Sequence, residues 1–104
     1  MSLFSKTEKE VRSLTLKGVR EWIETCVTRL GIPIESSEPY EPAYGEAVIT
    51  LGGDHEHTRI CYAKGRYWLS GFNPFMGYDF FIEGKGELEV EIQRCRDESF
   101  TVDY

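Results

Sequence analysis

Two histidines separated by one residue, in Asp54-His55-Glu56-His57, are the residues of this chain whose spacing most resembles a metal site. On an extended strand, side chains at i and i+2 share a face about 7 Å apart, a span over which one Zn²⁺ can be chelated. Gly52-Gly53-Asp54 just before them is a turn signal, and no second ligand pair stands at a familiar spacing. The cluster is therefore expected to be a solvated turn, and a metal site would have to recruit ligands such as Asp79 or Cys61 from elsewhere. Cys61 and His57 suggest a nucleophile and a base, but four residues of extended chain hold them about 13 Å apart, beyond hydrogen-bond reach. Ser70 lacks the G-x-S-x-G setting of a nucleophile elbow, and the glycines form no phosphate-binding motif. No catalytic residue, metal or cofactor is expected.

Carboxylates are the remaining candidates. Tyr78-Asp79-Phe80-Phe81-Ile82-Glu83, Gly84-Lys85-Gly86 and Glu87-Leu88-Glu89-Val90-Glu91-Ile92 read as a β-hairpin with a three-residue loop. Its register sets Tyr78, Phe80, Ile82, Leu88, Val90 and Ile92 on a core face, and Asp79, Phe81, Glu83, Glu87, Glu89 and Glu91 on the other. Acid-base work would need one carboxyl lifted in pKa by burial, whereas these glutamates are expected to face water. Like charges directly opposite one another destabilise a hairpin, so the acidic face suits a basic partner better than it suits stability. A second candidate surface is Phe72-Asn73-Pro74-Phe75-Met76-Gly77-Tyr78, where a connector carries Phe72, Phe75 and Met76 in place of polar residues. These side chains either close the core under the sheet edge or present a recognition surface, with Trp68 beside them.

The elements that position these residues follow from periodicity. Val11, Leu14, Val19, Trp22, Ile23, Cys26, Val27 and Leu30 recur at helical spacing, which predicts one long N-terminal helix over 7–30 with Trp22 in the core. Thr7 and Glu10 fit a capping box, and Gly31 with Pro33 ends the helix. Gly18 costs about 1 kcal/mol relative to Ala in a helix interior, so the helix is expected either to pack closely there or to divide near Ser13 to Thr15. Residues 33–44 hold three of the four prolines and read as an extended Pro/Glu connection. An antiparallel sheet over 46–104 follows: Ala47 to Leu51, a hairpin turning at Lys64-Gly65 with Ile60, Tyr62, Tyr67 and Leu69 on one face, the acidic hairpin, and a last strand from Phe100 to Tyr104. The expected fold is α+β, one long helix on an antiparallel meander of about five strands, in a single domain over 1–104.

Composition narrows the function classes. Hydrophobic residues at 40% exclude a disordered chain, and no apolar run approaches the roughly 18 residues of a membrane span. The N-terminus has no apolar run of signal-peptide length, which points to a cytoplasmic protein. Net charge is −6, unevenly spread: residues 1–31 hold six Lys or Arg against four Glu, and residues 32–104 hold six against fourteen Asp or Glu. That field opposes nucleic acid or an anionic membrane and favours a basic protein, such as a nuclease, a toxin or a nucleic-acid-binding protein.

The preferred reading is a non-enzymatic acidic binding or inhibitor protein, of the immunity-protein or nucleic-acid-mimic type. Its expected partner surface is Asp79, Phe81, Glu83, Glu87, Glu89 and Glu91 with Phe75, Met76, Trp68 and Phe72. The alternatives are a small-molecule-binding or enzymatic domain with a pocket lined by Tyr62, Tyr67, Trp68 and Phe80, and a subunit of a larger assembly. Cys26, Cys61 and Cys95 are odd in number with no C-x-x-C pair, which predicts reduced, buried thiols. Dithiothreitol is accordingly expected to leave the melting temperature unchanged; a drop of more than a few degrees would reveal a structural disulfide.

Overall fold

A computed structural model describes residues 3–38 and 47–102. Two helices come first, α1 (Glu8–Ser13) and α2 (Leu16–Arg29). Five strands follow, β1 (Ile34–Glu38), β2 (Ala47–Leu51), β3 (Arg59–Ala63), β4 (Arg66–Asn73) and β5 (Tyr78–Glu83), then a helix, α3 (Leu88–Ser99). The sheet is antiparallel throughout, in the order β1-β2-β3-β4-β5, so the fold is α+β.

The N-terminal helix is two helices. Thr7 caps α1 by accepting from the Glu10 N–H at 3.1 Å, and Thr15 caps α2 by accepting from the Gly18 N–H at 3.1 Å. Between them Leu14 is extended, with φ −79° and ψ 146°. A threonine followed three residues later by a donor it can reach starts a new helix and ends the old one. Gly18 thus falls in a first turn, not a helix interior. The C-terminal stop is as the sequence reads: Gly31 is left-handed at φ 74°, and the Ile32 N–H bonds the Val27 carbonyl at 3.2 Å.

The central hairpin has the expected register, with Ile60 opposite Leu69 and Tyr62 opposite Tyr67. Its turn residues Lys64 and Gly65 both have positive φ, 51° and 75°, the two-residue geometry that matches strand twist. Three other expectations are corrected. Ile34 to Glu38 form an edge strand on β2, with a bulge between Ile34 and Ser36, where the prolines suggested a connection only; the remainder of that segment, from Pro39 to Tyr44, lies outside the described residues. Residues 87–92 do not return as a strand: β5 pairs with β4 alone, and Leu88 begins α3. Phe100 is the C-cap of α3 and Thr101 and Val102 are in no strand, so the expected last strand is not formed; Asp103 and Tyr104 lie outside the described residues.

Glu87 to Ile92 alternate apolar and acidic as a strand would, yet the burial follows a helix. Leu88, Glu91, Ile92, Cys95 and Ser99 are buried, while Val90 is 51% exposed. Glu89 and Glu91 in the first turn and Arg96 in the last also suit the helix macrodipole. α3 packs on β4, and its Leu88, Ile92 and Cys95 join Val19, Ile23 and Val27 of α2 over the sheet face of Ile49, Ile60, Tyr62 and Leu69. Trp22 stands edge-on to Tyr67 in the same core, 5.4 Å between ring centroids.

A short N-terminal strap closes this core at one end. The Trp22 indole N–H donates to the Leu3 carbonyl at 2.8 Å, the Lys6 N–H to Gly86 at 2.8 Å, and the Leu88 N–H to Phe4 at 3.1 Å. Gly86 has φ 94°, and a Cβ there would fall onto the Lys6 carbonyl. Gly86→Ala therefore combines left-handed strain of about 1–2 kcal/mol with overpacking of about 1–3 kcal/mol. Gly77 is also left-handed but open, with nothing within 4 Å of an added Cβ, so Gly77→Ala should cost only the strain. Urea midpoints of the two variants should rank Gly86→Ala well below Gly77→Ala; equal losses would contradict the strap.

Candidate functional site

The surface most distinct from an ordinary solvated one is built on Asn73, the last residue of β4. Its side chain is fully buried and all of its bonding capacity is used. Nδ2 donates to the Glu98 and Thr101 carbonyls, each at 2.7 Å, and Oδ1 accepts from the Phe75 and Met76 N–H groups, each at 2.9 Å. The Gly77 N–H then returns to the Asn73 carbonyl at 2.7 Å, with Gly77 left-handed at φ 73°. One amide thus fixes residues 74–77 to the C-terminal end of α3. The Tyr78 hydroxyl adds a bond to the Glu98 carboxylate.

What this scaffold holds outward is apolar. Phe75 is 60% exposed, and Phe72, Met76 and Phe100 are exposed beside it. Phe75 lies 6.1 Å from Phe100, His57 lies 6.2 Å from Phe72 and 6.3 Å from Phe100, and the Arg96 guanidinium sits 5.5 Å over Phe100. Phe75 and Met76 therefore do not close the core under the sheet edge. A fixed aromatic cluster facing water exposes apolar area with no gain in stability, the pattern found at recognition surfaces.

The sheet face away from the helices adjoins it. Directly paired residues share a face, which gives the row Val48, Cys61, Trp68 and Glu83, the row Thr50, Arg59, Ser70 and Phe81, and the pair Phe72 and Asp79. Val48 and Cys61 are buried yet stand outside the helix-side core. Trp68 is half-buried and Phe81 is 64% exposed, the largest exposure of any large hydrophobic residue described. Trp68, Phe72, Phe81, Asp79 and Glu83 thus lie on one surface, connected from Phe72 through the His57 and Phe100 rings to Phe75.

Glu87, Glu89 and Glu91 are not on that surface. Glu87 and Glu89 are exposed at the start of α3, and Glu91 is only 3% exposed. Its carboxylate accepts from the Tyr67 hydroxyl and from the Lys85 N–H, while the Tyr67 oxygen accepts from the Gly86 N–H at 2.9 Å. Burial pushes the Glu91 pKa above the usual carboxylate range, opposed by these two hydrogen bonds and by Arg94, and burial with the Glu91 bond pushes Tyr67 up as well. The sequence gives no cue for this, because Glu91 reads as one of three equivalent alternating glutamates.

His55 ends a short 3₁₀ turn (Gly53–His55), His57 follows it, and among the described residues no group of three or more His, Cys, Asp or Glu could hold a metal ion. Burial pushes the Cys26 thiol up to about 11 and Cys61 to about 12, and raises Cys95, so none is a ready thiolate. All three thiols are free and buried. Tyr62 and Phe80 face the helices and share no pocket with Trp68, whereas Tyr67 and Trp68 both border one groove. That groove, of about 650 Å³, opens between α1, the Lys64-Gly65 turn and the end of β5, with Trp68, Phe81, Arg12, Arg66 and Glu83 on its walls.

No protein-family model, curated protein or solved structure matches this chain. No helix among the described residues is long and apolar enough to cross a membrane.

The Glu91 carboxyl titrates near 4.5 when unfolded and higher in the native protein, so the native state holds an extra proton between those two values. The stability from this group is fully present below about 4.5 and is lost as pH rises through the native value. Relative to Glu91→Gln, the wild type should therefore become steadily more stable as pH is lowered from neutrality toward about 4.5, read from urea midpoints. A difference independent of pH would contradict the raised pKa.

Proposed function

We propose that this is a non-enzymatic acidic binding or inhibitor protein that engages a basic protein partner through the Phe72 to Tyr78 loop and the outer face of β5. The observation that carries the reading is the Asn73-fixed display of Phe72, Phe75 and Met76. A rigid aromatic anchor loses little conformational entropy on binding, so more of its buried area appears as affinity. Asp79 and Glu83 flank the exposed Phe81 on the adjoining face, and no ion pair engages them among the described residues. With net charge −6, such a surface attracts a basic partner and steers its approach. An inhibitor of the immunity-protein type, holding a nuclease or toxin, has the required chemistry.

A small-molecule reading is favoured by one observation, the groove of about 650 Å³ beside Trp68 and Phe81, which has the volume of an ordinary ligand site. It predicts that a fragment bound there shifts the Trp68 indole NMR signal and leaves that of buried Trp22 in place.

Affinity capture with immobilised wild type and with a Phe75→Ser, Met76→Ser double variant, quantified by mass spectrometry, tests the main reading. Both side chains are exposed, so circular dichroism and melting temperature should match the wild type. The expected result is a basic protein recovered by the wild type and bound at least about tenfold more weakly by the variant, as loss of an aromatic anchor implies. Equal recovery by both would contradict it.

A further inference from the structure

The two edges of the sheet differ in kind. β1 is guarded: Pro33 precedes it, a bulge interrupts its pairing between Ile34 and Ser36, and Pro39 follows in sequence. These are the devices by which natural proteins keep an edge from pairing with another chain. β5 has none of them. Its six residues pair with β4 without a bulge, it contains no proline, and α3 packs on β4.

The direction of its free backbone groups follows from one bond. The Gly84 N–H donates to the Tyr67 carbonyl at 3.0 Å, which makes Tyr67 and Gly84 a hydrogen-bonded pair. Antiparallel pairs alternate, so Ile82 and Phe80 bond to Leu69 and Gly71, while the N–H and C=O groups of Asp79, Phe81 and Glu83 point away from β4. No backbone group among the described residues accepts or donates to those three on the open side. The same three residues turn their side chains to the open face, so backbone and side chains present one strip reading acidic, aromatic, acidic.

A second copy of the chain fits this strip poorly. Antiparallel self-pairing with full overlap centres on Phe81 and sets Asp79 opposite Glu83 of the second copy, twice, and like charges directly opposite are destabilising. A strand with basic residues at those two positions and an apolar residue between them removes the repulsion and supplies the missing charges. We infer that β5 is a strand-addition site that takes an extended segment of another protein with basic, apolar and basic residues at alternate positions, paired along Asp79, Phe81 and Glu83. The inference rests on the protein-binding reading above and names the chemistry of the segment. Backbone hydrogen bonds along the edge supply affinity, and the alternate side chains supply selectivity.

The probe is a fluorescein-labelled peptide, Thr-Lys-Thr-Val-Thr-Lys-Thr, which reads the same in both directions and so does not depend on strand orientation. Anisotropy at low ionic strength should detect saturable binding to the wild type. Four further measurements bear on it. A Glu-for-Lys version of the peptide should bind at least about tenfold more weakly, as for mismatched charge. The Asp79→Lys, Glu83→Lys double variant should reverse that preference. Phe81→Val, which keeps the outward N–H, should stay within about fivefold of the wild type. Phe81→Pro removes an N–H that β4 does not use, together with the ring that Phe81→Val also removes; proline is tolerated on an edge strand, and this variant should abolish binding. Absence of binding by the Lys peptide, failure of the charge reversal to swap preference, or equal binding by the Phe81→Pro and Phe81→Val variants would each overturn the inference. The charge swap decides alone if Phe81→Pro fails to fold. If the peptide fails while the Phe75→Ser, Met76→Ser variant still loses its partner, strand addition is refuted and the protein-binding reading stands; if both fail, the reading falls with it.

Discussion

The buried Glu91 carboxylate is the constraint on which the rest of the architecture depends. It joins α3, through its own backbone, to the Lys85-Gly86 loop that leads into it, through the Lys85 N–H, and to β4, twenty-four residues upstream, through the Tyr67 hydroxyl. The Gly86 N–H, bonded to the Tyr67 oxygen, and the Gly86 carbonyl, bonded to the Lys6 N–H, extend the network to the N-terminal strap. A buried polar group left unpaired costs about 1–3 kcal/mol, and removing any member here orphans at least one other. The charge itself is unfavourable in this setting, as the raised pKa records. What it provides is direction: the chain leaving β5 must turn back over the helix-side core as α3 and cannot run on beside β5 as a further strand.

The open surface is a consequence of that turn. Had residues 87–92 returned as a strand, β5 would have been internal and its outward groups paired. Because they form a helix on β4, β5 remains an edge. At the opposite end of the same strands Asn73 performs the matching task, tying the 74–77 turn to the last carbonyls of α3. Two buried polar side chains, one at each end of β4, thus leave a flat edge, an exposed Phe81 and a fixed aromatic loop side by side. The helix-side core provides the stability that lets Phe81, Asp79 and Glu83 at this edge stand exposed, while Val48 and Cys61 farther across the same face are buried.

The parts of the fold that local chemistry decides were legible in the sequence. Lys64-Gly65 between alternating residues named the central hairpin and its register, whereas the helical spacing predicted one helix over 7–30 and Gly18 marked only a weak point, with division near Ser13 to Thr15 as the alternative. The outward face of Trp68 and Phe72 was also readable from strand alternation, whereas the sequence left open whether Phe75 and Met76 close the core or face water. The parts that long-range contacts decide were not. Leu88 to Ile92 alternate over five residues, and only Cys95 and Ser99 beyond them restore the helical period; the tie that favours the helix comes from Tyr67, twenty-four residues away. Asn73 read as a turn residue, yet its partners are carbonyls 25 and 28 residues downstream. β1 was hidden by its flanking prolines, which mark an edge strand as readily as a connection.

Charge then separates self-association from recognition. Asp79 and Glu83 keep the open edge from pairing with a second copy and leave it competent for a basic strand, so a single pair of carboxylates guards and selects. That account stands on the edge being open and rigid in the isolated protein, which residue-resolved amide hydrogen exchange measures most directly. The expected pattern is alternation along β5, with Phe80 and Ile82 protected and Asp79, Phe81 and Glu83 exchanging freely, followed by continuous protection from Ile92 through Ser99 in α3. Protection of Asp79, Phe81 and Glu83 equal to that of their neighbours, with alternation in place of continuity over 88–92, would show β5 paired on both sides and would contradict it.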